Sequence, residues 1–168
     1  MKEAVHALIS ELDQEAATTR RLLQRVPAEK FGWKPHPKSK SLGELSYHIA
    51  SIPGGIASLM LQEGTDAKKT NFQTPCAESM DQLMQVLDEG VSKAKGILAD
   101  LSPDRAMAPW RLTAGDQEVF SIPRIGVART ILLNHWYHHR GQLTVYLRLL
   151  DVPLPVVYGR SADENPFA

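Results

Sequence analysis

Four stretches of this sequence place apolar side chains every three to four residues, and proline or glycine punctuates each of them. The first runs from about 2 to 26, with Val5, Leu8, Ile9, Leu12, Ala16, Leu22, Leu23 and Val26 near one face, and Pro27 stops it. The second, about 41–63, opens on Ser41-Leu42-Gly43-Glu44, where the hydroxyl and the carboxylate can satisfy end N–H groups reciprocally. Its stripe is Leu42, Leu45, His48, Ile49, Ile52, Ile56 and Leu59, and Pro53-Gly54-Gly55 predicts a kink or local break within it. The third, about 79–101, buries Met80, Leu83, Met84, Leu87, Val91, Ala94, Ile97 and Leu98 and ends at Ser102-Pro103. The fourth, about 123–150, carries Pro123 in its first turn, where a missing N–H costs little. Ahead of it, the partly alternating stretch from Trp110 to Ile122 around Gly115-Asp116 reads as a short β-hairpin or an extended loop. Four amphipathic helices with long connections predict an all-α four-helix bundle.

A chain of 168 residues, 43% hydrophobic and 23% charged, suits one domain over 1–168 with a sizeable core. Nineteen basic and nineteen acidic residues cancel, which leaves no electrostatic footprint for nucleic acid or for an anionic membrane surface. The single cysteine, Cys76, follows Pro75 in a loop and reads as a free thiol, in keeping with a reducing compartment. With no signal-peptide pattern and no apolar run long enough to span a bilayer, the expectation is a soluble cytoplasmic protein.

Chemistry concentrates in the fourth helix, at Asn134-His135-Trp136-Tyr137-His138-His139-Arg140-Gly141-Gln142. Three of the six histidines lie there within five residues. Residues four apart on a helix share a face, so His135 and His139 can present two imidazoles to one metal ion. The apolar stripe passes through Ala128, Ile131, Leu132, His135, His139, Leu143, Tyr146 and Leu150, which puts the pair toward the bundle interior. On spacing alone His138 could pair with His135 instead; the continuation of the stripe favours His139. Trp136 stands where a zinc protease would carry its general-base glutamate, which argues against that chemistry. His48, on the core face of the second helix, is the natural third ligand, although a lone core histidine is more often simply hydrogen-bonded. Three imidazoles would leave an open coordination position. Glu44 could orient His48 but is better explained by capping, and Gln142 could hydrogen-bond in the site or lie on the surface. No cluster of basic residues suited to fixing the carboxylates of a particular thiol stands out.

The segments Leu42-Gly43-Glu44-Leu45-Ser46-Tyr47-His48-Ile49-Ala50 and Asn134 to Leu143 together resemble the DinB-like superfamily of metalloproteins. Phe31-Gly32-Trp33-Lys34-Pro35 and Leu154-Pro155-Val156-Val157-Tyr158-Gly159 add to the resemblance, which covers nearly the whole chain. It implies an up-down-down-up four-helix bundle with a long crossover. It also implies a divalent metal, zinc or nickel, held by His48, His135 and His139, with His138 a non-ligand neighbour. Members of known activity are metal-dependent transferases or isomerases that use a low-molecular-weight thiol such as bacillithiol, mycothiol or glutathione, and members commonly form homodimers. The implied function is a thiol S-transferase acting on small electrophiles in stress or detoxification. The alternative is a non-catalytic metal-binding stress protein or small-molecule binding module.

Overall fold

A computed structural model describes residues 1–167 of the protein. Its long helices are α1 (Lys2–Leu23), α2 (Leu42–Leu59), α3 (Met80–Ala99) and α6 (Asn134–Leu149), with short α4 (Pro103–Met107) and α5 (Arg124–Val127) between the last two. Local chemistry sets their starts. At α2 the Ser41 hydroxyl accepts from the Glu44 N–H at 3.1 Å, while the Glu44 carboxylate accepts from the Ser41 N–H at 2.6 Å. At α3 the Ser79 hydroxyl accepts from the Gln82 N–H at 3.1 Å.

The all-α expectation needs correction, because the molecule is mostly helical but carries a three-stranded sheet in the order β1-β2-β3. The expected hairpin forms from β2 (Pro109–Ala114) and β3 (Gln117–Pro123), turning through Gly115 at a φ of 67°. Strand β1 (Gly64–Asp66) lies parallel to β2, pairing Gly64 with Arg111 and Asp66 with Thr113. Helix α2 therefore ends at Leu59 rather than near residue 63. Three residues are too few to show alternation, and their pairing partner is remote in sequence. The end of α2 is satisfied from the same quarter: the Trp110 indole donates to the Leu59 carbonyl at 3.0 Å. The buried Arg124 guanidinium donates to the carbonyls of Met60 and Gln62 at 2.7 and 2.9 Å.

Helix α3 packs on α1 and α2, and α6 packs on α2 and α1, so the long helices close a ring in the order α1-α3-α2-α6. The core between them holds Leu12, Leu22, Leu45, Ile49, Leu83, Leu87, Trp136 and Leu143. Of the expected kink or local break, no break occurs: α2 runs continuously through Pro53. Two contacts account for this. Gly54 and Gly90 let α2 and α3 approach closely, since a Cβ on Gly54 would lie 2.8 Å from the Gly90 Cα. Pro53 has no N–H to give the Ile49 carbonyl, and the Trp136 indole N–H supplies that bond from α6 at 2.9 Å.

The last helical stretch also departs from a uniform helix. Between α5 and α6, Ala128–Leu133 forms a π-helical segment with i→i+5 bonding, which accommodates one extra residue. The buried stripe runs through Arg124, Ala128 and Leu132, then slips by one residue to Leu133, Trp136, Arg140, Leu143 and Leu147. His135 and His139 accordingly do not face the interior as expected; they lie half-buried on its flank. One residue is about 100° of helix rotation, and counting at constant pitch across the π segment incurs that error. Arg140 takes the core position instead, paired with Glu15 at 2.5 Å and hydrogen-bonded to the Thr19 hydroxyl and to Tyr158 of the C-terminal segment.

Candidate metal centre

His48 projects from the middle of α2, and His135 and His139 project from successive turns of α6. The Trp136–Ile49 bond clamps the two helices at this level, because each residue directly follows one of the facing histidines. The Nε2 atoms of His48 and His135 are 3.1 Å apart. The His139 ring lies 4.4 Å from that of His48 and 4.5 Å from that of His135, centroid to centroid. One nitrogen from each of the three imidazoles falls within 4.8 Å of the others, a grouping able to hold a metal ion.

Tautomer and charge both favour coordination. The Gln142 amide oxygen lies 2.7 Å from His139 Nδ1; an amide oxygen only accepts, so Nδ1 carries the proton and Nε2 keeps its lone pair. Burial, reinforced by the neighbouring imidazoles, pushes the pKa of His48 and of His135 down to about 4. Burial also lowers that of His139, against the opposing effect of the Gln142 hydrogen bond. All three rings are therefore neutral at pH 7, the form that ligates metals. Ligands about 2.0–2.1 Å from a tetrahedral ion stand roughly 3.3 Å apart, so the His48–His135 spacing fits a shared ion. All-imidazole donors suit zinc, nickel, cobalt or copper.

The remaining candidates separate cleanly. His138 is exposed, with its ring 4.8 Å from that of His139, and lies outside the grouping. Glu44 is committed to the capping box and to Lys34, whose Nζ stands 3.6 Å from it. Gln142, which the sequence left between site and surface, belongs to the site through His139. His6 and His36 are exposed, and the His36 Nδ1 accepts from the Lys38 N–H. What spacing alone missed is Lys40, whose charge helps depress the pKa of His48 and of His139. Nothing in the local sequence distinguishes it from the other lysines of its loop.

Two expected results follow from this geometry. Replacing Gln142 with leucine removes the acceptor that orients His139 and should weaken metal binding about 10–100-fold, read by competition with a chromogenic chelator. Unchanged affinity would show that Gln142 plays no part. Metal-free protein should lose stability as pH falls from about 6.5 to about 4. In that window the unfolded chain binds protons at its histidines while folded His48 and His135 resist them, so acid favours unfolding; above about pH 7 both states are neutral and the dependence vanishes. Urea midpoints across this range test it, and a His48→Ala/His135→Ala double variant should show a flatter profile.

The family model described as the DinB family matches residues 1–165. A crystal structure of a DinB-like protein from Bacillus subtilis superposes with a TM-score of 0.67 at 18% identity, covering 92% of this chain and 99% of that one. One from Bacillus cereus ATCC 10987 gives 0.68 at 20% identity, covering 91% and 97%. A search of curated proteins finds no significant match. No helix among the described residues is long and apolar enough to cross a membrane.

Proposed function

The chain belongs to the DinB family, and from that premise we propose that His48, His135 and His139 bind one divalent metal ion, zinc or nickel, in a metal-dependent thiol S-transferase acting on small electrophiles. The observation that carries this reading is the convergence of three neutral imidazoles, with His48 and His135 nitrogens 3.1 Å apart, on a flank rather than in the sealed core. When bound there, the metal would lower the pKa of a thiol at its open position and stabilise the resulting anion. The chain's own part is preparatory. Burial keeps the imidazoles unprotonated, Gln142 fixes the His139 tautomer, and the Trp136–Ile49 bond holds the α2 and α6 ligands in register. In the transfer, the thiol proton passes to solvent, a new bond forms from the thiol sulfur to the electrophilic carbon, and that carbon's leaving group departs with its bonding electron pair.

The same reading takes the chain as one cytoplasmic domain with up-down-down-up helices that works as a homodimer on small molecules, without nucleic acid or membrane. Protein purified without a histidine tag or chelator should carry about one divalent metal per chain by inductively coupled plasma mass spectrometry. Metal-loaded protein should then accelerate conjugation of monochlorobimane by at least one member of a thiol panel over metal-free protein. Bound metal without acceleration by any thiol would leave the alternative, a non-catalytic metal-binding stress protein or small-molecule binding module. Protein that neither carries nor takes up metal would end the transferase and metal-binding readings and leave only a small-molecule binding module.

A further inference from the structure

The loop before α2 carries Lys34, Lys38 and Lys40 within seven residues. The segment between β1 and α3 folds back against it, bringing Phe72, Gln73 and Thr74 opposite Lys38, Ser39, Lys40 and Glu44 around a cavity of about 570 Å³. That volume suits a small molecule. None of the three histidines lines the cavity, but it lies toward their cluster: Glu44 is one turn of α2 before His48, Tyr146 of α6, two turns beyond His139, donates to the Lys40 carbonyl at 3.2 Å, and the Lys40 charge is felt at His48 and His139.

Its charge is unbalanced. Among the described residues neither Lys38 nor Lys40 forms an ion pair, and the Lys40 ammonium donates only to the neutral Thr74 hydroxyl, at 2.9 Å. The one carboxylate on the wall, Glu44, accepts from the Ser41 N–H and pairs with Lys34. The first N–H groups of α2 are spoken for as well, those of Leu42 and Gly43 donating to the carbonyls of Trp33 and Phe31 at 2.8 Å. Lys38 and Lys40 thus line the cavity without a close ion pair, and Glu44, which lies within the field of Lys40, is its one carboxylate. Phe72, 68% exposed, supplies an apolar face on its rim.

We propose that this cavity is a carboxylate-recognition subsite for the small molecule that reacts at the histidine cluster, with Lys40 its charge anchor and Phe72 the contact for its carbon skeleton. The inference rests on the reading of the triad as the reacting centre. A ligand held by its carboxylate at Lys40 could extend its reacting end toward the triad, and neutral analogues would lose the anchor. The carboxylate could belong to the thiol or to the electrophile, and the chemistry of recognition is the same for both.

The test uses two arms. Metal-free, nitrogen-15-labelled full-length protein is titrated with succinate, which has carboxylates and no sulfur. Succinate should shift the amides of Lys40, Phe72, Gln73 and Thr74, more weakly in high salt, and succinamide should not. Lys40→Gln should weaken succinate binding about fivefold and Lys40→Arg should preserve it; Lys38→Gln, at an exposed position, guards against a folding defect and should weaken binding less. No shift at these amides, or binding indifferent to both glutamine variants, would overturn the subsite. In the second arm, cobalt-loaded protein is titrated with 3-mercaptopropionate and with 2-mercaptoethanol, following the thiolate-to-cobalt absorption. A preference for 3-mercaptopropionate that Lys40→Gln removes assigns the carboxylate to the thiol. Equal affinity for the two, with succinate still bound, assigns it to the electrophile. Protein that takes up no cobalt yet binds succinate at Lys40 would sink the metal reading by itself and leave the carboxylate site standing.

Discussion

Replacing His48 with alanine should weaken metal binding by more than about a hundredfold, beyond the 10–100-fold typical of losing an outer hydrogen-bonded partner. The reason lies in the origin of the three ligands. His135 and His139 are two turns of one helix, and a helix pair alone is a weak bidentate site; His48 alone comes from a second element, α2, and closes the grouping. Isothermal titration with zinc and with nickel reads the change, and metal-free stability should barely move because His48 is only half-buried. Unchanged affinity would remove His48 from the ligand set and with it the proposed function. A parallel loss of metal-free stability would instead mark His48 as a packing residue.

The second large effect is expected at Trp136. Its indole is fully buried and its N–H is the donor for the Ile49 carbonyl, which Pro53 leaves without an intrahelical partner. Trp136→Ala should cost about 3–5 kcal/mol, mostly as a cavity between α2 and α6. Trp136→Phe is the sharper experiment, because it keeps most of the packing and removes the donor. It should cost about 1–3 kcal/mol through a buried carbonyl left unsatisfied. Pro53→Ala restores a helical N–H to that carbonyl, so the double variant should be less destabilised than the two single losses summed. Strict additivity in urea unfolding would show that the Pro53–Trp136 relation has no energetic content. Metal affinity offers an independent reading of the same contact. Trp136→Phe should also weaken it, since the bond sets the helices beside His48 and His135 in register.

The His135–His139 pair was legible in the sequence because spacing on a helix is local information: a four-residue step returns to one face whatever surrounds it, whereas His48 stands 87 residues away on another helix. The Ser41–Glu44 capping box and the Gly115-Asp116 turn were legible for the same reason, being chemistry of adjacent residues. Strand β1 was not, since its three residues acquire meaning only beside β2. Nor was the continuity of α2, which Pro53-Gly54-Gly55 argued against. The missing hydrogen bond is made by a residue of another helix, and the glycines turn out to serve a close approach to Gly90.

By itself, then, the sequence determined the number and place of the long helices and that His135 and His139 share one helix face, because both depend on periodicity and end chemistry within a few residues. Only the tertiary structure decided how those histidines face. The π segment at Ala128–Leu133 admits one extra residue, rotates Trp136 and Arg140 into the core, and leaves His135 and His139 on the flank beside His48. That rotation is stabilised by contacts with α1, α2 and the C-terminal segment, through Glu15, Ile49 and Tyr158. Those partners are remote in sequence, so no local pattern around residues 128–140 could have specified it.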